Sequence, residues 1–280
     1  MRIDAHQHFW NYSDHPRDYV WMTDEYASLR RNFGPSDLKP ILDENGFSGS
    51  VVVQARELSS ETAHLLKLAA EHSFILGVVG WLDLCNSKVE AQIASFANDR
   101  KLRGLRMLIH DRPDPDFAMS SEHVEGVSLL ERYGLTYDLL LKPPHILSAT
   151  RLVARLPNQL FVVDHIAKPD IASGLFEPWG RELAILAKHD NVYCKLSSLV
   201  TQAVWERWSP AEITPYLDHV LEVFGAERLM IGSDWPVSTV AADYRTTVNV
   251  VLEWTGRLSA SEQAAILGGT CRRFYGLEVP

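Results

Sequence analysis

Asp4-Ala5-His6-Gln7-His8-Phe9-Trp10 is the stretch at which two common α/β architectures part company. It closes the first short apolar run, residues 2–8, where a doubly wound open sheet normally carries a glycine-rich, phosphate-cradling turn. Here there is no glycine, and two imidazoles stand in its place. Seven further β-forming runs follow, at 50–54, 75–81, 104–109, 135–141, 160–165, 192–197 and 229–234. Each gap is long enough for a helix and two loops. Helical periodicity fills several gaps: at 60–71, where Leu65, Leu66, Leu68 and Ala69 share one stripe, and at 87–98, 178–189 and 215–224. Ser59-Ser60-Glu61-Thr62 and Ser209-Pro210-Ala211-Glu212 have the composition of helix starts. Val51-Val52-Val53 and Phe161-Val162-Val163 are continuously apolar, as strands covered on both faces are. Strict alternation of eight such units predicts an α/β fold, a distorted single-domain (β/α)8 TIM barrel over residues 1–280.

The 280 residues suffice to bury a full core, and 46% hydrophobic with 22% charged residues is an ordinary globular composition. No apolar run reaches the roughly 20 residues that span a bilayer. The start, Met1-Arg2-Ile3-Asp4, lacks the apolar segment of a signal peptide. Cys85, Cys194 and Cys271 are odd in number and far apart, which argues for reduced thiols in a cytoplasmic protein. A net charge of -9 without a basic cluster argues against nucleic acid or an anionic membrane as partner. Residues 11–31 form the longest stretch without periodicity and are expected to be a long active-site loop.

A barrel places its chemistry where strands end. His6 and His8 end the first strand, and their spacing of two puts both rings on one face. His165 ends the sixth strand, in Val163-Asp164-His165-Ile166-Ala167-Lys168-Pro169, and Asp234 ends the eighth, in Met230-Ile231-Gly232-Ser233-Asp234-Trp235-Pro236. Taken singly, an HxH arises by chance, a lone His is often a core residue, and a lone Asp often caps a helix. All four fall at strand ends of one polarity. Three imidazoles and a carboxylate are donors that zinc and related divalent ions accept.

These motifs, with Lys195-Leu196-Ser197 and the closing Gly268-Gly269-Thr270-Cys271-Arg272-Arg273-Phe274-Tyr275, resemble the amidohydrolase superfamily. More closely, they resemble its bacterial sugar-lactonase branch, the L-fuconolactonase-like proteins. The resemblance runs from Arg2 to Tyr275. It implies a small sugar lactone as substrate, opened to the aldonic acid in sugar catabolism. It also implies a divalent ion, with zinc the first choice, held among His6, His8, His165 and Asp234. Binuclear members of the superfamily carry a bridging Lys or Glu on strand four and a His on strand five. Here those strands read Arg103-Gly104-Leu105-Arg106-Met107-Leu108-Ile109 and Thr136-Tyr137-Asp138-Leu139-Leu140-Leu141, so at most one ion is expected.

Lactone opening needs a nucleophilic water, a base for its proton, and stabilisation of the oxyanion at the carbonyl. Asp234 is the expected base, and His165 the group that polarises the carbonyl or protonates the leaving alkoxide. Gln54, Arg56, Trp81, Asp83, Arg106, Asp138 and Lys195 lie near strand ends and are candidates for reading sugar hydroxyls. Trp10, Trp21 and Trp235 are candidates for an apolar wall. Each has a structural alternative: Arg56 and Asp83 as loop or capping residues, Trp81 as core, Lys195 as an internal ion pair with Asp138. Two other functions compete. One is a metal-dependent decarboxylase or hydratase of the same superfamily acting on an aromatic or unsaturated acid. The other is a binding protein that has lost its chemistry.

Overall fold

Strands β1 (Arg2–Gln7), β2 (Phe47–Val53), β3 (Ile75–Gly80), β4 (Leu102–Met107), β5 (Thr136–Leu139), β6 (Phe161–Val163), β7 (Val192–Leu196) and β8 (Leu229–Ile231) pair in chain order. Each is parallel to the next. One helix follows each strand: α1 (Pro35–Glu44), α2 (Ser59–Glu71), α3 (Val89–Phe96), α4 (Ser121–Ser128), α5 (Ile146–Arg155), α6 (Trp179–Leu186), α7 (Pro210–Phe224) and α8 (Tyr244–Thr255). Two short helices, α9 (Ala260–Ala264) and α10 (Thr270–Phe274), complete the chain. The computed structural model describes residues 1–205 and 207–278. Residues 206, 279 and 280 of the expected domain lie outside them. This is the (β/α)8 barrel expected from the alternation of runs.

The distortion lies at the β8–β1 seam. β8 leaves the ladder after Ile231, and the strands are joined beyond its end. Asp234 N donates to His6 O at 2.8 Å, and His8 N donates to Trp235 O at 2.7 Å. Gly232 permits this approach, because a Cβ there would lie 2.8 Å from His6 Cβ. Asp4 locks the seam from below. Its carboxylate accepts Ser233 N at 2.9 Å, Ser233 Oγ at 2.6 Å and Tyr244 OH at 3.1 Å. The joint that closes the barrel thus fixes His6, His8 and Asp234 relative to one another.

Apolar packing divides in two. One layer fills the space between strands and helices. The other fills the barrel interior with Ile3, Ala5, Val51, Val53, Val79, Val162 and Met230, stopped at the base by Cys271, Phe274 and Tyr275 of the α10 segment. Such filling makes a solid core with chemistry only at its top.

Boundaries differ from the sequence reading in ways with physical causes. The fifth, sixth and eighth strands are shorter than expected because their last residues turn out of the ladder to face the mouth. Helix α7 opens at Pro210, not 215. Ser209 N donates to Glu212 Oε2 at 2.6 Å in a capping box, and Pro215 falls inside the helix. Helix α1 has little apolar periodicity, because it buries only Pro35, Leu38 and Leu42 and contains Pro40.

Candidate active site

At the C-terminal mouth the chain repeatedly adopts left-handed backbone. Among the described residues, the six non-glycine residues with positive φ are His165, Ile166, Ala167, Lys168, Ser198 and Asp234. All follow the ends of β6, β7 or β8. Residues held this way cost roughly 1–3 kcal/mol each and persist only where their surroundings over-determine them. Here the turns aim side chains across the mouth.

The hydrogen-bond network assigns the imidazole tautomers. His8 Nδ1 lies 2.7 Å from Val53 O and must donate to it, so its Nε2 carries a lone pair. That Nε2 faces Asp234 Oδ1 at 3.2 Å and His6 Nε2 at 3.2 Å. His6 Nε2 accepts from Arg106 Nη1 at 3.2 Å, which leaves the His6 proton on Nδ1, 3.3 Å from Asp164 Oδ1. His6 Nε2 and Asp234 Oδ1 are 3.7 Å apart. His6 Nε2, His8 Nε2 and Asp234 Oδ1 therefore converge with no ring proton between them, the His6 lone pair being the one that Arg106 meets. Their separations are near the roughly 3.3 Å between ligands of a tetrahedral ion with bonds of about 2.0 Å. His165 Nε2 lies 3.9 Å from Asp234 Oδ1, while its Nδ1 bonds Ser197 Oγ at 2.8 Å. Ser198 Oγ donates to Asp234 Oδ2 at 2.5 Å and fixes the carboxylate plane. His6, Asp164 and His165 form a second close group, but Asp164 is already committed to cations.

Those cations lie directly beneath. Arg106 Nη1 donates to Asp164 Oδ2 at 2.9 Å, and its Nη2 to Gln54 O at 2.5 Å and Gln54 Oε1 at 3.1 Å. Lys195 Nζ lies 2.5 Å from Asp138 Oδ2, 3.0 Å from Asp164 Oδ1 and 3.2 Å from His6 Nδ1, and it is fully buried. Tyr275 OH donates to Asp138 Oδ2 at 2.8 Å.

Above the cluster opens a cavity of about 350 Å³. His8, His165, Asp234, Trp10, Trp21 and Arg106 line it, as do Tyr26, His110, Lys142, Lys168, Thr201 and Gln202. Other candidates sit elsewhere, and the hydroxyl-reading expected of them does not follow from their positions. Asp138 and Lys195 form the internal ion pair, and Gln54 is buried behind Arg106. Arg56 is a strut between Asp18, at 2.8 Å, and the buried Glu61, at 3.3 Å. The Asp83 side chain accepts from Cys85 N, and Trp81 is held through its backbone by Thr62 Oγ1. Trp235 is buried against Phe9 and Phe33, away from the aromatic wall. Sequence reading passed over Asp164, Ser197, Ser198, Lys168 and Tyr26. The first four lie within a few residues of a strand end, so extending the strand-end rule a few positions would have found them.

The amidohydrolase family profile matches residues 3–277. The chain belongs to the amidohydrolase family. It is 37% identical over 285 residues to L-fucono-1,5-lactonase of Burkholderia ambifaria, covering 100% of this chain and 97% of that protein. It is likewise 37% identical over 291 residues to L-fucono-1,5-lactonase of Burkholderia multivorans, with the same coverage. A crystal structure of an amidohydrolase from Burkholderia multivorans with bound zinc superposes at a TM-score of 0.94 and 37% identity, covering 99% of this chain and 100% of that one.

Burial sets the charge states of this amidohydrolase. It pushes the His6 and His165 imidazoles well below the usual histidine value, so both rings are neutral. Burial would raise Asp234, while the hydrogen bond from the Ser198 hydroxyl favours its ionised form. Burial lifts Asp138 to about 6 despite Lys195, whereas Lys195, His6 and Arg106 keep Asp164 ionised against the same burial. Lys195 therefore neutralises carboxylates that no solvent reaches. Lys195→Met is expected to cost about 3–5 kcal/mol of stability, as removal of one partner from a buried pair does. Urea unfolding measures this, and a loss under about 1 kcal/mol would contradict the network.

Proposed function

We propose that this amidohydrolase opens a sugar lactone to its aldonic acid, with L-fucono-1,5-lactone as the first choice. One observation carries the reading: a lone-pair cluster of His6, His8 and Asp234 opens into a cavity with an aromatic wall and a polar, cationic rim. The 37% identity to two L-fucono-1,5-lactonases over the full chain supports it. A ring studded with hydroxyls matches such a lining, while a flat aryl acid would leave most of these polar groups unpaired. The free cysteines and the lack, among the described residues, of any helix long and apolar enough to cross a membrane are in keeping with a cytoplasmic enzyme.

In this reading Asp234, held ionised and oriented by Ser198, takes a proton from the attacking water. The oxygen adds to the lactone carbonyl carbon, whose oxygen becomes an oxyanion. Collapse breaks the ring C–O bond, and the departing alkoxide is protonated, with His165 positioned to pass the proton. The product is a hydroxy acid that carries its carboxylate at neutral pH. Of His6, His8, His165 and Asp234, the first two and Asp234 would hold a divalent ion, since their donor atoms converge, which leaves His165 to pass the proton. We infer zinc from the nitrogen and oxygen donor types. When bound, the ion acts as a Lewis acid and lowers the pKa of its water. Asp164 and Arg106 fix His6 for this role, as outer partners of ligating histidines do.

Three measurements test the proposal. A pH-indicator assay on a lactone panel should show kcat/KM for L-fucono-1,5-lactone exceeding that for a plain aliphatic lactone by orders of magnitude. Equal rates would mean that the lining does not read hydroxyls. Asp234→Asn should fold normally yet lose turnover by a factor of roughly 10² or more, the usual scale of general-base catalysis. Near-normal turnover would remove Asp234 from the mechanism. Elemental analysis should find at most one divalent ion per chain, and two would overturn the mononuclear assignment.

A further inference from the structure

His165, Ile166, Ala167 and Lys168 have φ values of 55°, 48°, 60° and 49°, four successive left-handed residues without a glycine. Such a run is rare, above all for the β-branched Ile166. The surroundings hold it in place. Lys168 N donates to His165 O at 2.8 Å, and the buried Trp179 Nε1 donates to Ile166 O at 2.7 Å. Ile166 and Ala167 are fully buried beneath. The turn delivers side chains to the cavity from both its ends, His165 and Lys168.

Three cations line that cavity, and two are engaged. Arg106 is bound by Asp164 and Gln54, and the half-exposed Lys142 lies 3.8 Å from Asp111. No carboxylate of the described residues forms an ion pair with the Lys168 ammonium. Burial pulls it down to about 8, against the attraction of Asp234, which leaves it charged at pH 7. Lys168 also lines a second, more open cavity of about 770 Å³, shared with Tyr26, Lys142 and Gln202, so it stands at the partition between the two. A half-buried cation with no counter-ion, held there by strained backbone, has a place for an anion.

We infer that Lys168 is a further catalytic residue, its ammonium facing the lactone carbonyl oxygen, stabilising the oxyanion of ring opening and then the product carboxylate. The inference rests on the lactonase reading of this cavity. A neutral lactone gains little from the ammonium in the ground state. The transition state and the anionic product gain much, because a fixed charge in a partly dry site acts more strongly than in water. Asp234 and Lys168 then divide the work: one removes a proton from water, the other meets the negative charge that addition creates.

Lys168→Met and Lys168→Arg test this with L-fucono-1,5-lactone for turnover and two probes for binding. The probes are L-fuconate, the charged product, and L-fucose, a neutral ring with the same hydroxyl pattern. Lys168→Met should lower kcat about 100-fold, the scale of losing one oxyanion donor. It should weaken L-fuconate binding at least ~10-fold and leave L-fucose binding unchanged. Lys168→Arg, which keeps the charge, should recover most of the L-fuconate binding. Should the Met variant fail to fold, Lys168→Gln carries the same expectation. Equal weakening of both probes, or unchanged kcat, overturns the role. An unaltered protein that opens no sugar lactone overturns the lactonase reading instead, so the two failures are distinct.

Discussion

Two carboxylates and two cations share the top of the barrel interior, cut off from water, and each needs the others. Asp138 and Asp164 face Lys195, and Asp164 also faces Arg106. An isolated charge at this depth would be untenable, so the geometry of any member is dictated by the rest. The layer of His6, His8 and Asp234 rests directly on this network. His6 Nδ1 lies against Asp164 and Lys195, while its Nε2 meets Arg106 and His8. The tautomer of His6, and hence the direction of its Nε2 lone pair, follows from the charges packed around it.

A second constraint is the incomplete β8–β1 ladder. Gly232 and Asp4 draw the strand ends together, and the two backbone bonds beyond β8 place Asp234 beside His6 and His8. The left-handed residues after β6, β7 and β8 are the local consequence, since a side chain must turn inward at each strand end. Backbone strain, barrel closure and ligand convergence are thus one arrangement, which joins fold to chemistry.

The alternation of eight apolar runs made the barrel legible, because strands buried on both faces leave an unbroken apolar signature. That His6, His8, His165 and Asp234 meet at one mouth was legible because all four follow strand ends of one polarity. Lys195 and Asp138 show where such reading stops. Their strand-end positions left two alternatives open, substrate binding and an internal ion pair, and the structure holds the pair. For Arg56 and Trp235 the sequence does not reveal their neighbours, Asp18 and Glu61 for the one and Phe9 and Phe33 for the other. The left-handed turn that carries Lys168 to the cavity has no compositional signal, since it contains no glycine; only the nearness of Lys168 to the β6 end points to it.

The central claim is that the lone-pair cluster and the cavity above it form one site for a sugar lactone. A crystal soaked with L-fuconate tests it most directly. The account predicts the product within the inner cavity, its carboxylate between Asp234, His165 and Lys168, and its hydroxyls toward Arg106, Trp10, Trp21 and Tyr26. Product bound only in the outer cavity, or with its carboxylate turned away from Asp234, would contradict it.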